Sequence, residues 1–173
     1  MIRDQEIQRL INYAKGLGLT VRFTSKKEDY SAVWYLDNSG IVICKQNNKS
    51  KIDTVLSLIH EIAHAKHNIW EKNREIDSKF ENALDHVDRA EEMEVDTSKG
   101  QRKIVLDNEI AGTRYWHEIY TETDMKFPIW RLEAQMAYDT WQYRVFYDTD
   151  NYPTRKQRVA KFKELTAKHR SRS

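Results

Sequence analysis

Ser50-Lys51-Ile52-Asp53-Thr54-Val55-Leu56-Ser57-Leu58-Ile59-His60-Glu61-Ile62-Ala63-His64-Ala65 reads as the start and body of one helix, and that reading organises the rest of the chain. Ser50, followed three residues later by Asp53, forms a capping box that satisfies amide donors orphaned at a helix start. Ile52, Leu56, Ile59 and Ala63 then recur every three or four residues. One face is therefore apolar and can lie against a core. The helix is expected to run from about residue 51 to residue 70.

Within it stands His60-Glu61-Ile62-Ala63-His64. An α-helix turns about 100° per residue, so His60 and His64 sit one turn apart on nearly the same face. Two imidazoles so placed can each give a nitrogen to one divalent ion. Glu61 lies beside them, positioned to take a proton from water held there. Zinc is the ion this pattern favours, and hydrolysis of a peptide bond is the chemistry it supports. Reading the histidines as ordinary polar residues on a helix edge leaves the His-Glu-His order without a reason.

A catalytic zinc takes three protein ligands and leaves one position open. His67 also falls on the His60 face, but two turns, about 10 Å, separate them along the axis, so both cannot hold one ion. It reads instead as a residue at a cleft edge or on the surface. The extended H-E-x-x-H-x-x-G-x-x-H pattern is absent, since position 67 is His67 and position 70 is Trp70. A carboxylate from a later helix is the natural third ligand. Glu109 and Glu133 contend for that role, with Glu118 behind them. Glu109 is preferred because Ala111 and Gly112 follow it, and small residues let one helix approach another closely; Glu133 has similar small neighbours in Ala134 and Ala137. A tyrosine, Tyr115 or Tyr138, or His117 can aid a developing oxyanion, with aromatic core the competing role for each tyrosine. His86 reads as a surface histidine.

Outward from this helix, residues 4–17 form an amphipathic helix stopped by Gly16 and Gly18. Strands are expected at 19–24, 32–36 and 40–45, the last two joined as a hairpin by Asp37-Asn38-Ser39-Gly40. The stretch 71–103 is heavily charged and reads as a solvated helix, then a loop around Thr97-Ser98-Lys99-Gly100. A lid beside the cleft is its functional alternative. Helical character returns over 104–122, breaks at Lys126-Phe127-Pro128, and resumes over 129–147 with an aromatic stripe read as core. The result is an α+β chain: an N-terminal helix, a small three-stranded sheet, the His-Glu-His helix and further helices. One domain is expected over 1–150, with the charged insertion at 71–103, followed by a basic tail over 151–173.

Composition narrows the classes. The 173 residues are 39% hydrophobic and 32% charged, which describes a soluble globular protein. A net charge of +2 is too small to argue for nucleic acid or membrane by itself. Nucleic acid is expected only through the basic tail, and no stretch has the apolar length of a membrane span. The first residues lack the apolar run of a secretory signal, and the single cysteine, Cys44, sits in a strand and reads as core; both fit a reducing cytoplasm.

The combination of helix, small sheet, Leu58-Ile59-His60-Glu61-Ile62-Ala63-His64-Ala65 and a later helix offering Glu resembles the small gluzincin-like metallopeptidases of the ImmA/IrrE type and their phage-borne relatives. The resemblance spans about residues 4–145, and its specific part is His60–Ala65. It implies a zincin-like fold, His60 and His64 as Zn2+ ligands, Glu61 as general base, and Glu109 in Asp107-Asn108-Glu109-Ile110 as third ligand. It further implies that the last strand before the metal helix, Ile41–Lys45, borders the cleft. A protein or peptide substrate would add to that strand in extended form. The rival reading is a non-catalytic module that keeps this shape and binds a protein partner.

Overall fold

In the computed structural model, which describes residues 4–35, 40–70, 78–93 and 96–172, the elements run α1 (Asp4–Gly16), β1 (Val21–Thr24), β2 (Ala32–Tyr35), β3 (Gly40–Cys44), α2 (Lys51–Ala65), a π-helical turn (Lys66–Trp70), α3 (Ser78–Met93), α4 (Lys99–Glu122), α5 (Ile129–Thr149) and α6 (Arg155–Arg170). The chain is therefore α+β, with six α-helices and one mixed three-stranded sheet among the described residues. These residues divide into two compact units. The first is Met1–Glu75 with Gly112–Phe127, the second Ile76–Ala111 with Pro128–Ser173. The division falls inside α4, which is one unbroken helix. None of the described helices is long and apolar enough to cross a membrane.

In the first unit, Gly18 (φ +82°) turns the chain out of α1, where the Leu19 amide donates to the Ala14 carbonyl at 2.9 Å. The chain then enters β1. The sheet order is β1-β3-β2, with β3 parallel to β1 and antiparallel to β2. Gly40 fixes the register. Its φ is +138°, and a Cβ there would lie 2.3 Å from the Thr20 carbonyl oxygen, which accepts from the Ile41 amide at 2.7 Å. Only glycine fits so close a crossing of two backbones. The expected turn at Asp37–Ser39 lies outside the described residues.

The central place of β3 corrects one expectation. Its main chain is paired with β1 on one side and β2 on the other, so no peptide can add to Ile41–Lys45. Ile41, Ile43 and Cys44 are fully buried, as a strand covered on its edges and packed by α2 requires. Cys44 is core, as expected.

The capping box at Ser50 is formed in both directions: the Ser50 hydroxyl accepts from the Asp53 amide, and the Asp53 carboxylate accepts from the Ser50 amide at 2.9 Å. The helix so started packs on α1, β2 and β3. It buries more than a stripe. Val55, Leu58, Ile59 and Ile62 are wholly inaccessible, and each large aliphatic side chain so buried contributes roughly 1.5–3 kcal/mol. At its end, Lys66 Nζ meets the Tyr13 hydroxyl of α1 at 2.7 Å and Glu118 of α4 at 2.6 Å. Burial opposes the Lys66 charge, but the hydrogen bonds to Glu118 and Tyr13 outweigh it and hold the pKa above the usual lysine value.

In the second unit, α3 is not merely solvated. Phe80, Ala83 and Val87 are buried along one face of it, and Ala83 and Val87 form a cluster with Val105 of α4 and Phe146 of α5. Lys99 and Gly100, expected in a loop, are the first residues of α4. The link before them is held by Asp150, whose carboxylate takes the Thr97 amide at 2.7 Å and the Arg102 guanidinium at 2.9 Å. The aromatic stripe of α5 reaches the core only at Leu132, Ala134 and Phe146, while Trp130, Met136, Trp141 and Val145 are half-buried. α6 packs against α5.

Candidate metal centre

The spacing of His60 and His64 on α2 brings the same nitrogen of each ring to one point. Their Nε2 atoms lie 2.9 Å apart, with ring centroids at 4.5 Å and planes 65° apart. A zinc ion bound tetrahedrally at about 2.0–2.1 Å by two imidazoles holds their nitrogens roughly 3.3 Å apart. The pair thus needs to open by only a few tenths of an ångström.

α4 supplies what faces the rings. A Cβ added at Gly112 would stand 3.5 Å from His64 Nδ1, so α4 approaches α2 to within one side-chain carbon. Trp116, one turn further on and buried, meets His60 in a T-shaped contact with centroids 5.4 Å apart. Glu109 stands one turn before Gly112 on the same unbroken helix. His60, His64 and Glu109 each offer one ligand atom, and these atoms all lie within 4.8 Å of one another. Glu109, Gly112 and Trp116 form one face of α4, at intervals of three and four residues.

Glu61 follows His60 on α2. Its Oε2 accepts the Trp34 amide of β2 at 2.9 Å. Trp34 stands opposite Ile41 in the antiparallel ladder, and the neighbouring bond from the Cys44 amide to the Ser31 carbonyl shows which residues pair with β3. Trp34 is out of phase with those, so its amide lies on the outer edge of β2. The Glu61 carboxylate is therefore held against the side of β2 that faces away from β3.

After His64 the helix widens into the π turn Lys66–Trp70, a form that concentrates at functional sites. Asn68, fully buried in that turn, donates from Nδ2 to the His64 carbonyl at 2.9 Å and ties the backbone of the ligand helix. The sequence reading passed over both Asn68 and Trp116. For Trp116 a signal existed in its spacing of seven from Glu109; for the π turn none did.

The other candidates have different surroundings. Glu133 of α5 faces His169 Nδ1 of α6 at 3.4 Å, and Glu118 engages Lys66. His67 is not part of the ligand group; its Nδ1 is 3.4 Å from Arg114. The Tyr115 hydroxyl receives Arg114 at 3.0 Å, and Tyr138 packs on Trp141 and Phe162. His86 and His117 are exposed.

Two imidazoles and a carboxylate form a donor set of catalytic zinc sites, and the three residues fit such an ion. No protein-family model, curated protein or solved structure matches the chain.

Proposed function

We propose that the protein is a zinc-dependent metallopeptidase that hydrolyses a peptide bond in a protein or peptide substrate. The observation that carries this reading is the convergence of His60, His64 and Glu109 within 4.8 Å, with Glu61 adjoining on the same helix. The zincin-like fold, and membership of the ImmA/IrrE type of peptidase, belong to the same proposal.

His60 and His64 would hold the ion through Nε2 and Glu109 through a carboxylate oxygen, and zinc bound there supplies Lewis acidity and water of pKa near 7. Glu61 accepts the proton of the attacking water and returns it to the leaving amine. The Trp34 amide holds the Glu61 carboxylate at the sheet edge, so the base has one orientation before substrate arrives. The single buried cysteine suits a reducing compartment, and we place the protein in the cytoplasm.

The test has two readouts. Purified wild-type protein is expected to carry about one equivalent of zinc and to cleave members of a peptide library, losing cleavage with chelator and regaining it with zinc. Glu61→Gln is expected to keep the zinc and lose all cleavage. A wild-type protein that binds zinc yet cleaves nothing would be the non-catalytic module instead; one that binds no transition ion would remove the proposal altogether.

A further inference from the structure

The charge of this chain is unevenly placed. Of its 29 Lys and Arg and 27 Asp and Glu, eight cations and one acid fall in residues 155–173, leaving 21 cations and 26 acids elsewhere. A net charge of +2 thus hides a basic segment on an otherwise acidic protein. Most of that segment is α6, begun by a capping box between Thr154 and Gln157. Its one acid, Glu164, is engaged by Lys161 at 2.7 Å.

Helical geometry sorts these cations. Lys156, Lys163 and Arg170 are seven residues apart, so they form a ridge along one side of α6, spaced roughly 10 Å apart. All three are exposed, whereas Leu165, on the side facing α5, is buried. Beside the ridge the surface dips into a groove of about 610 Å³ lined by Phe162, Lys163, Thr166, Ala167, Arg170 and Ser171. The Thr166 hydroxyl is itself buried and, among the described residues, has no hydrogen-bond partner.

From this we propose that α6 binds the phosphate backbone of double-stranded DNA. A row of exposed cations along one helix face suits the dense negative charge of a duplex backbone; such contacts position a protein on the duplex without reading sequence. A lipid surface fits worse. The exposed large apolar residues of α6 are Val159 and Phe162, too few for the continuous apolar face that lies in a bilayer interface. This inference stands apart from the metal centre and does not depend on peptidase activity.

The test is fluorescence anisotropy of a labelled 20-base-pair duplex with the full chain, over a salt series. Three phosphate contacts add about 2.7 to the log–log salt slope, so a fourfold rise in salt weakens binding roughly 40-fold through them alone. Lys156→Gln/Lys163→Gln/Arg170→Gln is expected to lose that part of the slope while keeping its circular dichroism and zinc content. Lys156→Arg/Lys163→Arg is expected to bind as wild type. The inference is overturned by a wild-type chain that ignores the duplex at low salt, or by a triple variant with unchanged slope. Phosphatidylserine vesicles or polyglutamate competing as well as the duplex would equally overturn it, assigning α6 to a membrane or to an acidic protein.

Discussion

Gly112 offers the sharpest test of how α4 meets the histidines. A Cβ there would stand 3.5 Å from His64 Nδ1 and 3.6 Å from Cε1, which is ordinary van der Waals contact. Glycine in a helix interior is less stable than alanine by roughly 0.5–1 kcal/mol. Gly112→Ala is therefore expected to stabilise the protein by about that amount and to leave zinc binding intact. Gly112→Leu is different. Each further carbon reaches ~1.5 Å beyond Cβ. A leucine branch would thus come to within about 2 Å of the imidazole, well inside the ~3.5 Å at which carbon contacts are favourable. The helices must separate by about 1.5 Å, at a cost of roughly 1–3 kcal/mol. That displacement also carries Glu109 away, whereas ligand atoms sharing zinc at about 2.0–2.2 Å stand at most roughly 4.4 Å apart. Zinc affinity is expected to fall by at least the roughly 10–100-fold typical of a lost supporting group. Zinc titration and thermal melts of the two variants, with and without chelator, measure both effects. A leucine variant that holds zinc as tightly as wild type, or an alanine variant that loses it, would refute the reasoning.

Two further outcomes follow from groups around the core. Asn68→Leu removes the donor to the His64 carbonyl, and a buried carbonyl deprived of a donor costs about 1–3 kcal/mol. Melts should show that loss, and a larger one when zinc is present, since the ligand helix loosens. Burial pushes the Asp150 carboxyl upward, but the Thr97 hydroxyl and amide and the Arg102 cation outweigh it and lower its pKa below the ordinary 3.8. A lowered folded value gives stability that is present above the unfolded pKa and lost as pH falls through the folded one. Asp150→Asn, which tolerates the left-handed backbone there (φ +58°), should cost roughly 1.5–3 kcal/mol at neutral pH. The gap between variant and wild-type melts should then close below pH about 4; a gap constant from neutral to acid pH would count against the pairing.

The parts of this protein that could be read from its sequence are those set by neighbours within one or two turns. The Ser50–Asp53 cap and the His60–His64 spacing are local, and the structure forms both. Glu109 was preferred for the small residues after it, and Gly112 does lie against His64. What escaped depends on distant partners. Nothing near Ile41–Cys44 announces a parallel pairing with β1, although an unbroken apolar run is how a doubly covered strand reads. On α3, abundant acids masked the spacing of Phe80, Ala83 and Val87, which buries one face. The first turn of α4 has no apolar residue to mark it. The Thr97–Arg102–Asp150 clasp joins residues some fifty positions apart and has no sequence signature.

The bond between Glu61 and the Trp34 amide has a consequence beyond chemistry. An outer strand with bare amides invites a second chain to zip onto it, and a carboxylate turned inward is one way proteins blunt that hazard. Glu61 would thus guard the solubility of the sheet as well as serve as base. Exchange for glutamine keeps an oxygen to cover the amide; exchange for alanine strips the guard and should leave a protein that clumps on standing, whatever its zinc content.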